Sequence, residues 1–237
     1  MGRLIVLAIV LATPLACGRD EPRPRIQIAA SLAEPVEDLL ADQVDVSVAS
    51  SFAIARQLES GMPSDLVLLA DPQAMDALAE DPGVTLDARA TVASNRLVVV
   101  VPADEHSNLE TPDAWSTGRI AVGDPAAVPL GRYTRQALDA TGRWASTRGR
   151  QVFGGDARAV LTLIERGEVD LAVVYESDAV GNDRVAIVER IDPHLHDEIR
   201  CEIAIVGDHP ESRSTYERIL RGVDWSRWGF AGSEATP

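Results

Sequence analysis

Short apolar runs alternate with amphipathic helical segments along almost the whole chain. This alternation confines it to an α/β architecture in which strands feed helices. The clearest unit spans residues 154–179. Gly154-Gly155-Asp156 reads as a turn ending in a good N-cap. Ala157, Val160, Leu161 and Ile164 recur at helical spacing, and Gly167 closes the helix as its C′ residue. Residues 171–174 form a short apolar strand, with Tyr175 at its carboxyl end. The first turn of such a helix leaves backbone N–H groups without partners and carries the positive end of the helix dipole. A strand-end hydroxyl beside it completes a place suited to an anion.

The same design recurs. Residues 26–28 form a strand that runs into Ala29-Ala30-Ser31, followed by a helix with Leu32, Val36, Leu39 and Leu40 on one face. Ser31 with Glu34 fits a capping box there. Residues 44–48 alternate as a half-buried strand, and Ser50-Ser51 lead into a helix that Gly61 closes. Residues 64–70 are the next strand, and Asp71-Pro72 starts a helix with proline at its first position. Residues 97–101 are a continuous apolar strand stopped by Pro102. Residues 119–123 form another strand, and Val128-Pro129-Leu130-Gly131 makes a tight turn before a helix from Arg132 to about Thr141. Further strands are expected at 151–153, 185–188 and 202–206, with Trp225, Trp228 and Phe230 in a packed terminal helix. Such alternation implies mainly parallel sheets flanked by helices, in two blocks. One lobe takes residues 26–100 plus 204–237 and the other 101–203, with a cleft between them. Ligands of α/β sheets sit off the carboxyl ends of the strands.

Composition narrows the function. The chain has 237 residues and a formal net charge of -15, which argues against nucleic acid and anionic membrane surfaces as partners. It contains no lysine, so a P-loop, a Schiff-base lysine and a Ser-x-x-Lys hydrolase are excluded. At the amino terminus, Arg3 precedes an apolar run too short to span a bilayer in the mature protein. Residues 1–17 therefore read as a secretory signal, and residues 18–25 as a charged, proline-rich tether. Ala16-Cys17 resembles the end of a lipobox. Two readings stand side by side: lipidation of Cys17, or an ordinary signal cut nearby. Cys17 is the sole possible disulfide partner of Cys201, and if it carries lipid, Cys201 is a lone thiol in a buried strand.

Other constellations carry less specific chemistry. His194-Leu195-His196-Asp197-Glu198 reads as a metal site or, in preference, as a polar loop beside Pro193. No Gly-x-Ser-x-Gly occurs and no serine has an evident histidine partner, which counts against a small serine hydrolase using a strand-end serine. Asp124 and Asp178 are expected to stabilise turns, and Arg158 to face solvent or a carboxylate.

Several of these stretches carry a family resemblance. Residues 29–32, Ser50-Ser51 with residues 55–61, and Pro63-Ser64-Asp65 with Ala70-Asp71 resemble the first half of the molybdate-binding proteins of ABC importers. Residues 123–133, and 164–167 with 174–179, resemble the second half, in the family's order from about Ile26 to Val206. The resemblance implies a type II periplasmic-binding-protein fold whose two lobes close on a tetrahedral oxyanion, molybdate or tungstate. It implies no catalysis, no cofactor and a monomer outside the cytoplasm. Its partners would be a permease and an ATPase, and it would touch the membrane only through a lipid on Cys17. Carried over by position, the ligand contacts fall on the Ser31 and Ser51 hydroxyls, the Leu130 and Ala157 amides and the Tyr175 hydroxyl. A sulfate or other oxyanion binder, or a sensor of the same fold, is the alternative. The chain departs from the pattern in a shorter segment between Ser31 and Ser51, in Phe52 where a small hydroxyl residue often stands, and in Gly154-Gly155.

Chemistry fits that set. Donors to an ionised oxygen make hydrogen bonds roughly twice as strong as neutral pairs. A site of donors alone leaves the O–H of a protonated oxyanion unpaired, at a cost of about 1–3 kcal/mol. The expectation is therefore a dianion held by neutral groups, with no positive side chain in the gap.

Overall fold

The computed structural model describes residues 23–103, 115–207, 209 and 212–232. The expected signal, most of the tether and Cys17 lie outside the described residues. In chain order the strands are β1 (Arg25–Ala29), β2 (Asp45–Ala49), β3 (Leu66–Leu69), β4 (Leu86–Asn95), β5 (Leu97–Pro102), β6 (Ile120–Gly123), β7 (Gln151–Gly154), β8 (Leu171–Tyr175), β9 (Val185–Arg190), β10 (Ile199–Val206) and β11 (Ala231–Gly232). The helices are α1 (Ala30–Leu40), α2 (Ser51–Glu59), α3 (Pro72–Glu80), α4 (Pro129–Ala140), α5 (Arg143–Ser146), α6 (Ala157–Glu165), α7 (Glu176–Ala179) and α8 (Arg213–Gly222).

Two sheets result, one of six strands in the order β11-β4-β10-β3-β1-β2 and one of five in the order β7-β6-β8-β5-β9. Each is mixed. Parallel pairs join β1 to β2 and β3, and β6 to β7 and β8, where strand and helix alternate. Every antiparallel pair involves β4, β5, β9, β10 or β11, the strands at or after the passages between lobes.

Side chains alternate across each strand, so the first sheet feeds two cores. Leu66 and Leu68 pack with Leu32, Val36 and Ile219 on one face, while Val67 and Leu69 pack with Ile54, Met75 and Leu78 on the other. Full burial of such an aliphatic side chain contributes about 1.5–3 kcal/mol. In the second lobe one core surrounds Leu97 to Val101, with Leu130, Tyr133, Val160 and Ile164 packed on it. Helices α2 and α6 end as expected. Gly61 and Gly167 take left-handed φ of 83° and 66°. Their amides and those of the next residues donate back to Leu58, Gln57, Ile164 and Leu163.

Several boundaries differ from the sequence reading. Arg25 is not tether: it opens β1, and its amide and guanidinium both donate to the Asp65 carboxylate, at 2.7 and 3.2 Å. Helix α4 starts at Pro129 rather than Arg132, because Val128 is extended and serves as its N-cap. Strand β4 was not anticipated; its alanine- and charge-rich sequence hides a strand whose pairing with β10 and β11 is wholly non-local. The first passage between sheets falls at Arg96, not near residue 100. Leu97 to Val100 already pair with β8, and Ile199 to Ile203 already pair with β4. Trp225–Trp228 is a 3-10 turn rather than a helix, with the Trp225 ring set edge-on to Phe230 at 5.6 Å.

Candidate functional site

In the first lobe the parallel register aligns the strand ends. Ala29 faces Ala49, and Ile28 faces Leu68. Ser31 and Ser51 therefore each lie two residues beyond paired positions, with Ala70-Asp71 on the other flank of β1. Helix α1 begins at Ala30 behind an Ala29 N-cap, with no side-chain cap bond. The capping box of Ser31 with Glu34 is thus corrected: Ser31 is inside the first turn, where its hydroxyl caps nothing and the neighbouring amides lack helical partners. In α2, Ser50 is the cap and its Oγ accepts from the Ala53 amide at 3.3 Å. Ser51 Oγ accepts from the Ala70 amide at 3.1 Å, which leaves the Ser51 O–H proton to donate elsewhere. The Phe52 ring is exposed.

The second lobe repeats the arrangement with glycine. Gly123 faces Gly154 across β6 and β7, and the Asp124 amide donates to the Gly154 carbonyl at 3.1 Å. Asp124 stabilises its turn as expected, its Oδ1 accepting from the Ala126 amide at 2.9 Å. The first bond within α4 runs from the Arg132 amide to the Val128 carbonyl, so the Leu130 and Gly131 amides stand outside the helix's own bonding. A Cβ on Gly131 would lie 2.5 Å from the Gly123 carbonyl oxygen. The glycines let the start of α4 press onto the end of β6. At α6, Asp156 Oδ1 accepts from the Ala159 amide at 2.7 Å, which leaves the Ala157 and Arg158 amides outside the helical bonding. A Cβ on Gly154 would lie 2.8 Å from the Val160 nitrogen.

Tyr175 ends β8 opposite Leu97, and the next amide, of Glu176, donates to the Arg96 carbonyl at 2.8 Å. Tyr175 therefore stands where the chain passes between lobes. Burial holds its pKa well above the ordinary tyrosine range, and the acidic groups of Tyr133, Asp71 and Asp178 push it the same way. It remains a protonated donor at any physiological pH. Tyr133 is buried on α4, and its own pKa is raised by burial first and then by Asp71. Asp71 belongs to the first lobe, Tyr133 and Tyr175 to the second, so its charge acts across the lobes.

Arg132 lies at that junction. Its Nη2 is 3.6 Å from Asp71 Oδ1 across the lobes, and its guanidinium is 4.8 Å from the Tyr133 ring centroid. The expectation of a gap without a positive side chain is corrected. Asp71 is 2% exposed and offsets the added charge. No local signal marks this pair, because its halves are distant in sequence and each looks like an ordinary helix-start residue.

Strand register puts Ser31 and Ser51 beyond the adjacent ends of β1 and β2, with Asp71 beyond the end of β3, and Leu130 and Ala157 follow the paired ends of β6 and β7 in the second lobe. Asp178 behaves otherwise than expected: its Oδ2 is buried without a hydrogen bond, and burial raises its pKa to about 6 against the opposing pull of Arg158. Among the described residues no three ligating side chains gather as a metal site. His196 packs its ring 6.0 Å from Tyr133 instead, with Nδ1 2.7 Å from the Asp197 carbonyl. Cys201 is a buried thiol in β10, its pKa pushed up to about 12 by burial.

Two α/β lobes joined by two chain passages, with Asp71 of one lobe approached by Arg132 of the other, define a two-lobed solute-binding protein. The family model of the bacterial extracellular solute-binding proteins matches residues 25–222, and the chain belongs to that family. It is 34% identical to the molybdate-binding protein ModA of Escherichia coli (strain K12), over 89% of this chain and 90% of that one. It is 30% identical to a putative ABC transporter substrate-binding lipoprotein, YvgL, of Bacillus subtilis (strain 168), over 72% and 67%. The substrate-binding domain of a putative molybdenum ABC transporter from Clostridium difficile superposes with a TM-score of 0.75 at 26% identity, over 90% of this chain and 99% of that one.

Proposed function

We propose that this chain is the extracytoplasmic substrate-binding subunit of an ABC importer, and that it captures a tetrahedral oxyanion, molybdate or tungstate in first place. The Ser31, Ser51 and Tyr175 hydroxyls and the Leu130 and Ala157 amides are its donors. The observation that carries this reading is the approach of Asp71, which follows the Ser51–Ala70 contact, to Arg132 on the helix that starts beside Leu130, at 3.6 Å across the two lobes. Relatives named for molybdate binding support the choice of ligand.

The site works by complementarity. Amides and hydroxyls donate to the oxygens of a fully ionised anion, whereas an O–H on the guest finds no acceptor in the two amides and must compete for hydroxyl oxygens, one of which, Ser51 Oγ, already accepts from Ala70. Hydrogen phosphate is disfavoured on that ground, and size then separates molybdate from sulfate. The protein performs no chemistry on its guest. Closure of the lobes turns binding into a shape that a membrane permease and its ATPase read. The monomer would be held near the membrane by a lipid on Cys17 or released by signal cleavage; mass spectrometry of the mature amino terminus separates the two.

Titration calorimetry with molybdate, tungstate, sulfate and phosphate tests the reading. Heat with the heavy oxyanions and none with phosphate supports it. Absence of heat with both molybdate and tungstate ends it, and stronger binding of sulfate moves the protein to the sulfate alternative.

A further inference from the structure

Asp71 and Arg132 present an unfinished ion pair. At 3.6 Å the closest approach is too long for a hydrogen bond. Arg132 Nε and Nη2 and Asp71 Oδ2 are all buried without a hydrogen-bond partner. Asp71 Oδ1 is already engaged as the cap of α3, accepting from the Gln73 amide at 2.8 Å. Each charge comes from a different lobe, and each is next to a donor turn: Asp71 follows Ala70, whose amide binds Ser51 Oγ, and Arg132 follows Leu130 and Gly131 on α4. Any separation of the lobes parts the pair.

We propose that Asp71 and Arg132 couple lobe closure to the charge of the guest, a role that rests on the oxyanion reading above. With the lobes apart, the Asp71 carboxylate stands uncompensated beside the Ser31 and Ser51 turns and repels an anion from the first lobe. Closure brings Arg132, whose guanidinium also has a side-chain hydrogen bond with Tyr133, and its charge cancels that repulsion while Nε and Nη2 keep no protein acceptor. A dianion therefore binds well only to the closed arrangement, and by linkage its binding drives closure. Both residues act as positioning groups that set the charge balance of the site.

The two halves then have opposite effects, which a purely structural pair would not show. Asp71→Asn retains the cap of α3, since asparagine caps as well as aspartate. It is expected to tighten molybdate binding by about threefold or more at low salt, with a steeper loss as salt rises. Arg132→Gln leaves the carboxylate unopposed and is expected to weaken binding by at least about tenfold. The double variant, neutral at both positions, is expected to return to within about threefold of the parent protein. Titration of molybdate into all four proteins at two ionic strengths decides. Equal losses from both single variants, no change in either, or a double variant no better than Arg132→Gln would overturn the role. A parent protein that binds no oxyanion would bring down the underlying reading of the site, and the pair's role with it.

Discussion

Tyr175 shows how burial prepares a donor. Burial holds its pKa well above the ordinary tyrosine range, so in the proposed site it offers a proton to an anion without competing as one. Tyr175→Phe deletes that donor while keeping the ring. Loss of one bond to a charged oxygen is worth about 1.5–3 kcal/mol, so affinity should fall roughly tenfold to a hundredfold by calorimetry. Asp178 makes the opposite case. Its folded pKa of about 6 lies above the ordinary aspartate value, so the folded protein holds a proton that the unfolded chain has released. The stability from this group is complete below about pH 4 and is lost as pH rises through about 6. Asp178→Asn should therefore add about 1–3 kcal/mol at pH 7 and nothing at pH 4, as read from urea unfolding at the two pH values. Equal shifts at both would show that the carboxyl is not the buried acid described.

At the scale of elements, the helix starts depend on how closely they approach the strand ends. Gly154 and Gly155 are neighbours with opposite demands. A Cβ at Gly154 meets the Val160 backbone, whereas one at Gly155 meets nothing within 4 Å. Gly154→Ala should push α6 outward, cost about 1–3 kcal/mol and weaken oxyanion binding by moving the Ala157 amide. Gly155→Ala should leave melting temperature and affinity close to those of the parent. Melting curves and titrations on the pair check this contrast, and equal behaviour would refute the close approach of α6 to β7.

At the scale of the whole molecule, the described chain passes between the sheets at Arg96 and between Ile191 and Ile199. The first is tied by Asn95 Nδ2 donating to Ser177 Oγ at 2.8 Å and by the Glu176 amide on the Arg96 carbonyl. A guest held by both lobes stabilises the folded chain by mass action, about 2.7 kcal/mol at a hundredfold excess over Kd. Saturating molybdate should raise the melting temperature and reduce the radius of gyration in small-angle scattering. A rise in melting temperature at unchanged radius would mean that the lobes do not close on the ligand.

The sequence by itself determined the strand–helix alternation, the two left-handed glycine ends at Gly61 and Gly167, the cap at Asp156 and the strand-end positions of Ser51 and Tyr175. All of these follow from local chemistry: side-chain periodicity, backbone freedom and the partners a helix end requires. Tertiary structure alone decided that Arg96 divides the sheets, that β4 is a strand, that Ser31 caps nothing, and that Arg132 meets Asp71. Those outcomes depend on which distant segments share hydrogen bonds and exclude water together, and no window of neighbouring residues contains that information.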